Sequence, residues 1–373
     1  MSTVLHVIEG LSQFGGTARL LRNLVDASRV TALRHEFLVY QESPMAAEFT
    51  ASGARVHAIS SLQPATIARE LCSLVKRDRP LAIASHFTRP LLAGYLAAVA
   101  VRLPLIHHEH SSPSYRHGMS GAIAALVRSR AAGIICVSDH VAKEVGRQLP
   151  RARRPPDTWH PPVTARRAER TRAAVRAELG VDPVAPLILH VGGMIPERDQ
   201  QTLLAAFSKV LQTRPTARLV LAGDGPQRHE LEKHAAALRI TDRVCFAGYR
   251  SDVGDLLSAA DLYVNPTKDE GLGLAVIEAM LAGVPVIAAN AGAHSEYIRD
   301  GVDGHLYPGG DAARLAASIE MTLHDSGATR QVEYARSRAR EMFDAATAAQ
   351  AYAGLVQSIC APRLSGSNDL RRA

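Results

Sequence analysis

The chain has 373 residues, of which 47% are hydrophobic and 21% charged, enough for two domains with a buried core each and too apolar for a disordered or low-complexity protein. Its formal charge of +7 is uneven, since residues 1–163 carry 19 Lys and Arg against 11 Asp and Glu while residues 164–373 carry 24 against 25. A basic half without aromatic-interleaved basic motifs or zinc-finger spacing argues against nucleic acid and for an anionic ligand or an anionic membrane surface.

The first apolar run, Val4–Ile8, meets Glu9 at once and has no basic segment before it, so no secretory signal is expected. The longest apolar candidate for insertion, Leu91–Val101, is about half the ~20 residues a spanning helix needs. Cys72, Cys136, Cys245 and Cys360 form no Cys-x-x-Cys pair and read as reduced, mostly core thiols. A cytoplasmic protein is expected, with peripheral contact at the inner face of a membrane.

Short β-branched runs alternate with longer amphipathic or Ala-rich stretches, the pattern of βαβ units and parallel sheets. In the first half this predicts strands at Val4–Glu9, Glu36–Tyr40, Arg55–Ala58, Leu81–His86, Leu105–His110 and Gly133–Ser138, with helices at Thr17–Ser28, Thr66–Arg77 and Gly121–Arg130. Pro150–Pro162 holds five prolines and three arginines and reads as a linker. A second set follows, with strands at Leu187–Gly192, Arg218–Ala222, Val244–Gly248, Leu262–Asn265 and Pro285–Ala289. Helices are predicted at Thr202–Gln212, Gln227–Leu238, Asp252–Ala259 and Gly273–Ala282. The expected architecture is α/β, two doubly wound Rossmann-like domains facing across a cleft. Residues 1–163 are the first domain and 164–344 the second, 345–361 a C-terminal helix and 362–373 a disordered tail.

The string Glu270-Gly271-Leu272-Gly273-Leu274-Ala275-Val276-Ile277-Glu278-Ala279-Met280 places two carboxylates across a loop-to-helix junction. A helix starting near Gly273 would aim free amides and its dipole at an anion. Glycines 271 and 273 let a ligand approach the backbone, and Glu278 lies more than a turn inside, in reach of hydroxyls. The combination suits a polyhydroxylated anion.

Residues 185–310 resemble the C-terminal domain of family 4 retaining glycosyltransferases of the GT-B fold. The resemblance rests on His190-Val191-Gly192, Ala222-Gly223-Asp224-Gly225-Pro226, Phe246-Ala247-Gly248-Tyr249 and Ala260-Asp261-Leu262-Tyr263-Val264-Asn265-Pro266. The Glu270/Glu278 string, Ala282-Gly283-Val284-Pro285-Val286-Ile287-Ala288 and Gly301-Val302-Asp303-Gly304 complete it. It implies a nucleotide diphosphate-sugar as co-substrate, no other cofactor, and a glycan or lipid-linked acceptor. Glu278 would bind ribose hydroxyls and Glu270 the donor sugar. The amides of Gly271, Leu272 and Gly273 would bind diphosphate and sugar, Tyr249 and Arg250 would border the base, and Gly192 and Gly223 would line the site, with a plain turn as the alternative for Gly223. In the first half, Gly15 and Gly16 would touch the diphosphate, and His110 matches the family's cleft histidine.

The alternative for His107, His108 and His110 is a set of partly exposed strand-end histidines, and a metal cluster is a further one; no metal is assigned. His86 is a weaker cleft residue, and Ser138 reads as an N-cap. The chain departs from the family where Gly-Arg-Leu followed by Lys is usual, with Gly193 in place of the Arg and Arg198 in place of the Lys.

The resulting expectation is a metal-independent, retaining hexosyltransferase with Glu270, His110 and Arg198 as catalytic residues. Thirty-eight Arg against five Lys suggest a GC-rich bacterial source and hence surface polysaccharide synthesis. The alternatives are a non-catalytic nucleotide-sugar-binding partner subunit and a nucleotide-sugar epimerase. A membrane-docking helix is expected at Thr66–Arg77, through Arg69, Lys76, Arg77 and the following Arg79, with an ordinary solvated helix face as the alternative.

Overall fold

Runs of Val, Ile, Leu and Ala bounded by glycine or polar residues form strands buried on both faces, as parallel sheets require. The computed structural model describes residues 2–12, 16–41, 43–112, 119–324 and 328–364, in two units: the chain to Pro162 with the segment from Phe343 onward, and Val163–Met342. The first unit contains β1 (Ser2–Ile8), β2 (Leu33–Val39), β3 (Arg55–Ala58), β4 (Ala82–His86), β5 (Leu105–Glu109), β6 (Gly133–Cys136) and β7 (Asp157–Thr158). The second contains β8 (Leu187–Val191), β9 (Arg218–Ala222), β10 (Val244–Gly248), β11 (Leu262–Asn265), β12 (Val286–Ala289) and β13 (His305–Tyr307).

Both sheets are parallel, in the orders β3-β2-β1-β4-β5-β6-β7 and β10-β9-β8-β11-β12-β13. Each is doubly wound, and its order reverses between its first strand and the strand beyond it: β1 against β4, and β8 against β11. Ligands of such sheets bind outside the C-terminal strand ends at that reversal.

The predicted helices appear with ends moved by a few residues at most, at Gly16–Ala27, Pro64–Asp78 and Met119–Ser129 in the first unit. Ser138 caps the helix Asp139–Gln148, its Oγ accepting from Val141 N at 3.2 Å. The linker reading of Pro150–Pro162 is corrected. Asp157 and Thr158 pair with Ile135 and Cys136 at the sheet edge, and Trp159 is buried with its indole N–H donating to Ala348 O at 2.9 Å. The prolines flank this two-residue strand and do not enter it, and they confine it to a short edge position.

The final helix, Ala345–Leu364, belongs to the first unit and buries Tyr352, Val356 and Ile359. It continues three residues into the segment 362–373 read as a disordered tail, and the rest of that segment lies outside the described residues. All four cysteines are free; Cys136 and Cys360 are buried. No helix among the described residues is long and apolar enough to cross a membrane. Pro64–Asp78 exposes Arg69, Lys76 and Arg77 but no large apolar side chain, and Arg77 pairs with Asp78 at 2.8 Å.

The first core is polar where the second is apolar. His35 on β2, His6 on β1, His86 and His108 are buried, and His107 is fully so, which corrects the reading of His107 and His108 as partly exposed. The register places Val4 opposite His35, His6 opposite Ala84 and His86 opposite His108. From His35 to His6, from His6 to His86 and from His86 to His110 just beyond β5, each histidine is therefore one strand over and two residues on; His108 stands directly opposite His86, and period-two alternation keeps these rings on one face and His107 on the other.

Burial pushes the pKa values of His6, His86 and His108 well below the usual imidazole value, His35 to about 3 and His110 to about 4. These rings are neutral in the fold but take up protons in the unfolded chain near pH 6.5, so stability is complete above that pH and is lost as pH falls toward the folded values. Each such ring weakens folding by up to about 1.4 kcal/mol per pH unit over that window. Urea denaturation at pH 7.5, 6.0 and 5.0 is expected to show a steep loss for the first unit, and pH-independent midpoints would refute it.

Candidate functional site

The site of the second unit is built at the reversal between β8 and β11. The turns after β8, β9 and β10 are joined by backbone hydrogen bonds: Gly192 N donates to Ala222 O (2.9 Å), Met194 N to Asp224 O (2.9 Å) and Gly223 N to Gly248 O (2.7 Å). Gly223 is required there. Its φ is 144°, and a Cβ would stand 2.0 Å from Gly192 O. This gives Gly223 the packing role of a turn glycine at a strand end. Below Gly192 the buried His190 donates from Nδ1 to Val264 O at 2.9 Å, and burial brings its pKa down to about 4.

The turn Pro196–Arg198 then carries Arg198 over to the loop that follows β11. Its Nη1 pairs with Glu270 Oε2 and reaches Thr267 Oγ1 at 3.3 Å, while Nε and Nη2 have no partner among the described residues. Glu270 is nearly buried and also accepts from Asn265 Nδ2 at 3.3 Å. The same amide group lies 3.3 Å from His294 Nε2, whose Nδ1 donates to Ala289 O at 2.8 Å. Nε2 of the neutral ring is thus the bare nitrogen that accepts from Asn265.

The helix Leu274–Ala282 starts behind Gly273, which has φ 85° and has no room for a side chain, since a Cβ would lie 2.4 Å from Tyr297 Oη. Val276 N and Ile277 N both bond Gly273 O, so the helix geometry leaves the amides of Leu274 and Ala275 without intrahelical acceptors, at the positive end of the dipole. Glu278, one turn in, is 2% exposed and 3.1 Å from Arg166 Nε. Burial raises its pKa, against the pull of Arg166. Gly271, Leu272 and Gly273 are buried along this loop.

Tyr249 is half-exposed just beyond β10, but Arg250 turns to Asp252 (2.7 and 2.6 Å) and Glu178 (2.6 Å). Those ion pairs tie Arg250 to the helix Arg172–Glu178.

In the first unit, Gly16 begins the first helix, and Gly15 lies outside the described residues. His110 follows β5, its Nε2 2.9 Å from His86 Nδ1. Phe87, at the end of β4, holds φ 65°, a strained value for a residue with a Cβ, and its ring lies 5.6 Å from that of His110.

Arg166, Thr267, His294 and Tyr297 were not among the residues singled out from the sequence. Arg166 stands in an arginine-rich run, Arg166 to Arg172, which has the appearance of a solvated segment. His294 and Tyr297 sit on a four-residue helix too short to show a period.

Replacing Arg166 by Ala removes the cation that faces a buried carboxylate. The Arg166→Ala variant is expected to lose about 2–3 kcal/mol of stability at pH 7.5. Without its cation Glu278 has a folded pKa above its unfolded one, so the deficit is largest at high pH and narrows as pH falls and the carboxyl takes up a proton. Urea unfolding of both proteins at pH 7.5 and 5.5 measures it, and a deficit that is absent or grows on acidification would contradict the pairing.

Comparison with known proteins gives a consistent family. The model described as "Glycosyltransferase Family 4" matches residues 14–167, and that described as "Glycosyl transferases group 1" matches residues 171–342. The lipopolysaccharide core biosynthesis glycosyltransferase LpsE of Rhizobium meliloti (strain 1021) is 32% identical over 157 residues, 42% of this chain and 45% of that protein. A D-inositol 3-phosphate glycosyltransferase of Streptomyces bingchenggensis (strain BCW-1) is 30% identical over 293 residues, 72% of this chain and 64% of that protein. The chain spans about half the length of the curated relatives it matches. Among solved structures, Anabaena Alr3699/HepE in complex with UDP-glucose superposes with a TM-score of 0.85 at 23% identity, covering 96% of this chain and all of that one, which is a likeness of fold. With both halves matched in order and two doubly wound sheets, the chain belongs to the family 4 group of glycosyltransferases with the GT-B fold.

Proposed function

We propose that the chain transfers a hexose-type sugar from a nucleotide diphosphate-sugar to a glycan or lipid-linked acceptor, with retention at the anomeric carbon. The observation that carries this reading is Arg198. One edge of its guanidinium is anchored on Glu270 and Thr267, and the other edge is without a partner among the described residues, at the strand reversal where α/β sheets take ligands. A cation so held, in the same loop-and-helix site as the amides of Leu274 and Ala275 that have no intrahelical acceptor, suits a departing diphosphate. Glu278 is set for ribose hydroxyls and Glu270 for the sugar. As the C1–O bond to the diphosphate breaks, its electrons leave with the phosphate. The acceptor oxygen forms the new bond to C1, and the acceptor's proton passes to the departing phosphate. Support for the donor class comes from the complex of HepE with UDP-glucose, and for a role in surface polysaccharide from the name of LpsE.

The reading includes no metal ion, because no Asp-x-Asp pair occurs in the sequence and both site carboxylates face arginines. UDP release from UDP-glucose, with and without EDTA, tests it. Equal turnover is expected, and a loss restored by Mg²⁺ would refute metal independence. Arg198→Ala is expected to lower kcat by about 100-fold or more, and Arg198→Lys to fall well below wild type because a single ammonium cannot hold Glu270 and phosphate with a fork. Gly193→Arg is expected to tighten UDP binding, since a Cβ at 193 meets only Asp224 O, at 3.7 Å. Wild-type rates in Arg198→Lys would remove the phosphate role. Binding of UDP-glucose by the wild type without turnover, with activity appearing only in Gly193→Arg, would favour the partner-subunit alternative.

A peripheral membrane contact is also proposed, on the packed helices Thr88–Val101 and Met119–Ser129. Leu96, Val99, Ile123 and Leu126 are exposed there beside Arg89, Arg102 and Arg130. Between Arg79 and Ser138 the sequence has one carboxylate, Glu109, and it is buried against Arg128. Exposed apolar chains among arginines suit an anionic lipid surface. Sedimentation with phosphatidylglycerol vesicles at low salt is expected for the wild type and lost in Leu96→Asp/Leu126→Asp; equal behaviour of the two proteins would refute this placement.

A further inference from the structure

Four imidazoles of the first unit are joined end to end. Ser28 Oγ lies 2.9 Å from His35 Nε2, His35 Nδ1 2.9 Å from His6 Nε2, His6 Nδ1 2.9 Å from His86 Nε2 and His86 Nδ1 2.9 Å from His110 Nε2. The line ends at His110 Nδ1, a buried nitrogen with no hydrogen-bond partner among the described residues. A neutral imidazole offers one N–H and one bare nitrogen. Each contact needs a hydrogen on one side only, so the tautomer of one ring dictates those of the other three. Two arrangements satisfy every contact: all four rings protonated on Nδ1, or all four on Nε2.

Ser28 decides between them. It is buried, and His35 is the only partner of its hydroxyl among the described residues. With the rings protonated on Nδ1, Ser28 donates to His35 Nε2, and the single group left over is the N–H of His110. With the rings protonated on Nε2, the hydroxyl hydrogen of Ser28 and the bare Nδ1 of His110 are both left without partners. Buried polar groups without partners are costly, so the first arrangement is favoured by one such group.

We infer that Ser28, His35, His6 and His86 are positioning residues that fix the tautomer of His110, so that it offers Nδ1–H to an acceptor oxygen of the ligand and does not serve as a base. The role toward a ligand rests on the glycosyl-transfer reading; the tautomer pattern rests on the hydrogen bonds alone. The depressed pKa values of the four rings keep the line neutral. A ligand oxygen that accepts from Nδ1 completes the line. A hydroxyl that must donate there would have to reverse all four rings.

The test uses the full chain labelled with ¹⁵N-histidine, with ring-nitrogen shifts read in wild type, Ser28→Ala and Ser28→Thr. All four rings are expected on Nδ1 in wild type and in Ser28→Thr, and in Ser28→Ala a population protonated on Nε2 is expected in all four together. Nε2 protonation of His110 in wild type, rings that respond independently, or no change in Ser28→Ala would overturn the inference. If Ser28→Ala does not fold, the wild-type pattern decides by itself. With Ser28 absent the two arrangements leave equal numbers of groups unpartnered, so UDP-glucose is expected to bind Ser28→Ala about twofold more weakly than wild type, with Ser28→Thr restored, and equal affinities would overturn the role toward the ligand. Failure of wild type to bind UDP-glucose would count against the donor reading and leave the tautomer result to stand or fall on its own spectra.

Discussion

The second unit depends on one close approach of backbone to backbone. Gly223 leaves β9 directly over Gly192, at a separation that no side chain could share. The three hydrogen bonds that follow join the ends of β8, β9 and β10 into one rim. A rim so fixed determines where the chain can go next. From it the short turn at Pro196 brings Arg198 to the β11 side of the strand reversal, where Glu270 and Thr267 receive it. The ion pair therefore closes across the crevice of its own sheet, and it does so because the two loops leave the sheet in opposite directions.

The two site carboxylates have the same residue type and different surroundings. Glu270 is surrounded by donors, from Arg198 and Asn265, and its main chain is held by Ala293 N at 2.9 Å. Glu278 is deeper and faces Arg166, and its burial works against its charge. Both belong to one loop-and-helix string, so what separates them is which parts of the fold come to meet them. Arg166 comes from the start of the second unit, 112 residues away in sequence.

The first unit solves a different problem. Its sheet carries a row of buried histidines, and these rings are accommodated because the register lets His35, His6 and His86 bond one another across the sheet. The C-terminal helix covers this face with Tyr352, whose hydroxyl lies 3.1 Å from His108 Nε2, and with the carbonyl that receives the Trp159 indole. A polar core of this kind is tolerable only while nearly every group in it has a partner. The left-over nitrogen of His110 stands at the end of the line, just beyond β5.

The strands were legible in the sequence because strands buried on both faces are written as apolar runs, and Arg218–Ala222, Val244–Gly248 and Leu262–Asn265 were found to the residue. Residues adjacent in sequence also identified the Glu270/Glu278 string and its place at a helix start, since loop glycines and helix geometry act locally. Local signals failed at Pro150–Pro162, where proline content hid a short edge strand and a buried Trp159. At Thr66–Arg77 the sequence offered charge alone, and the helix exposes no large apolar side chain beside it. The partners of the site were decided by tertiary structure alone. Arg198 meets Glu270 across 72 residues, and histidines from three strands and from the end of a fourth form one line. Such contacts depend on strand order and register, which bring distant residues within hydrogen-bonding range while leaving no periodic or compositional trace in the chain.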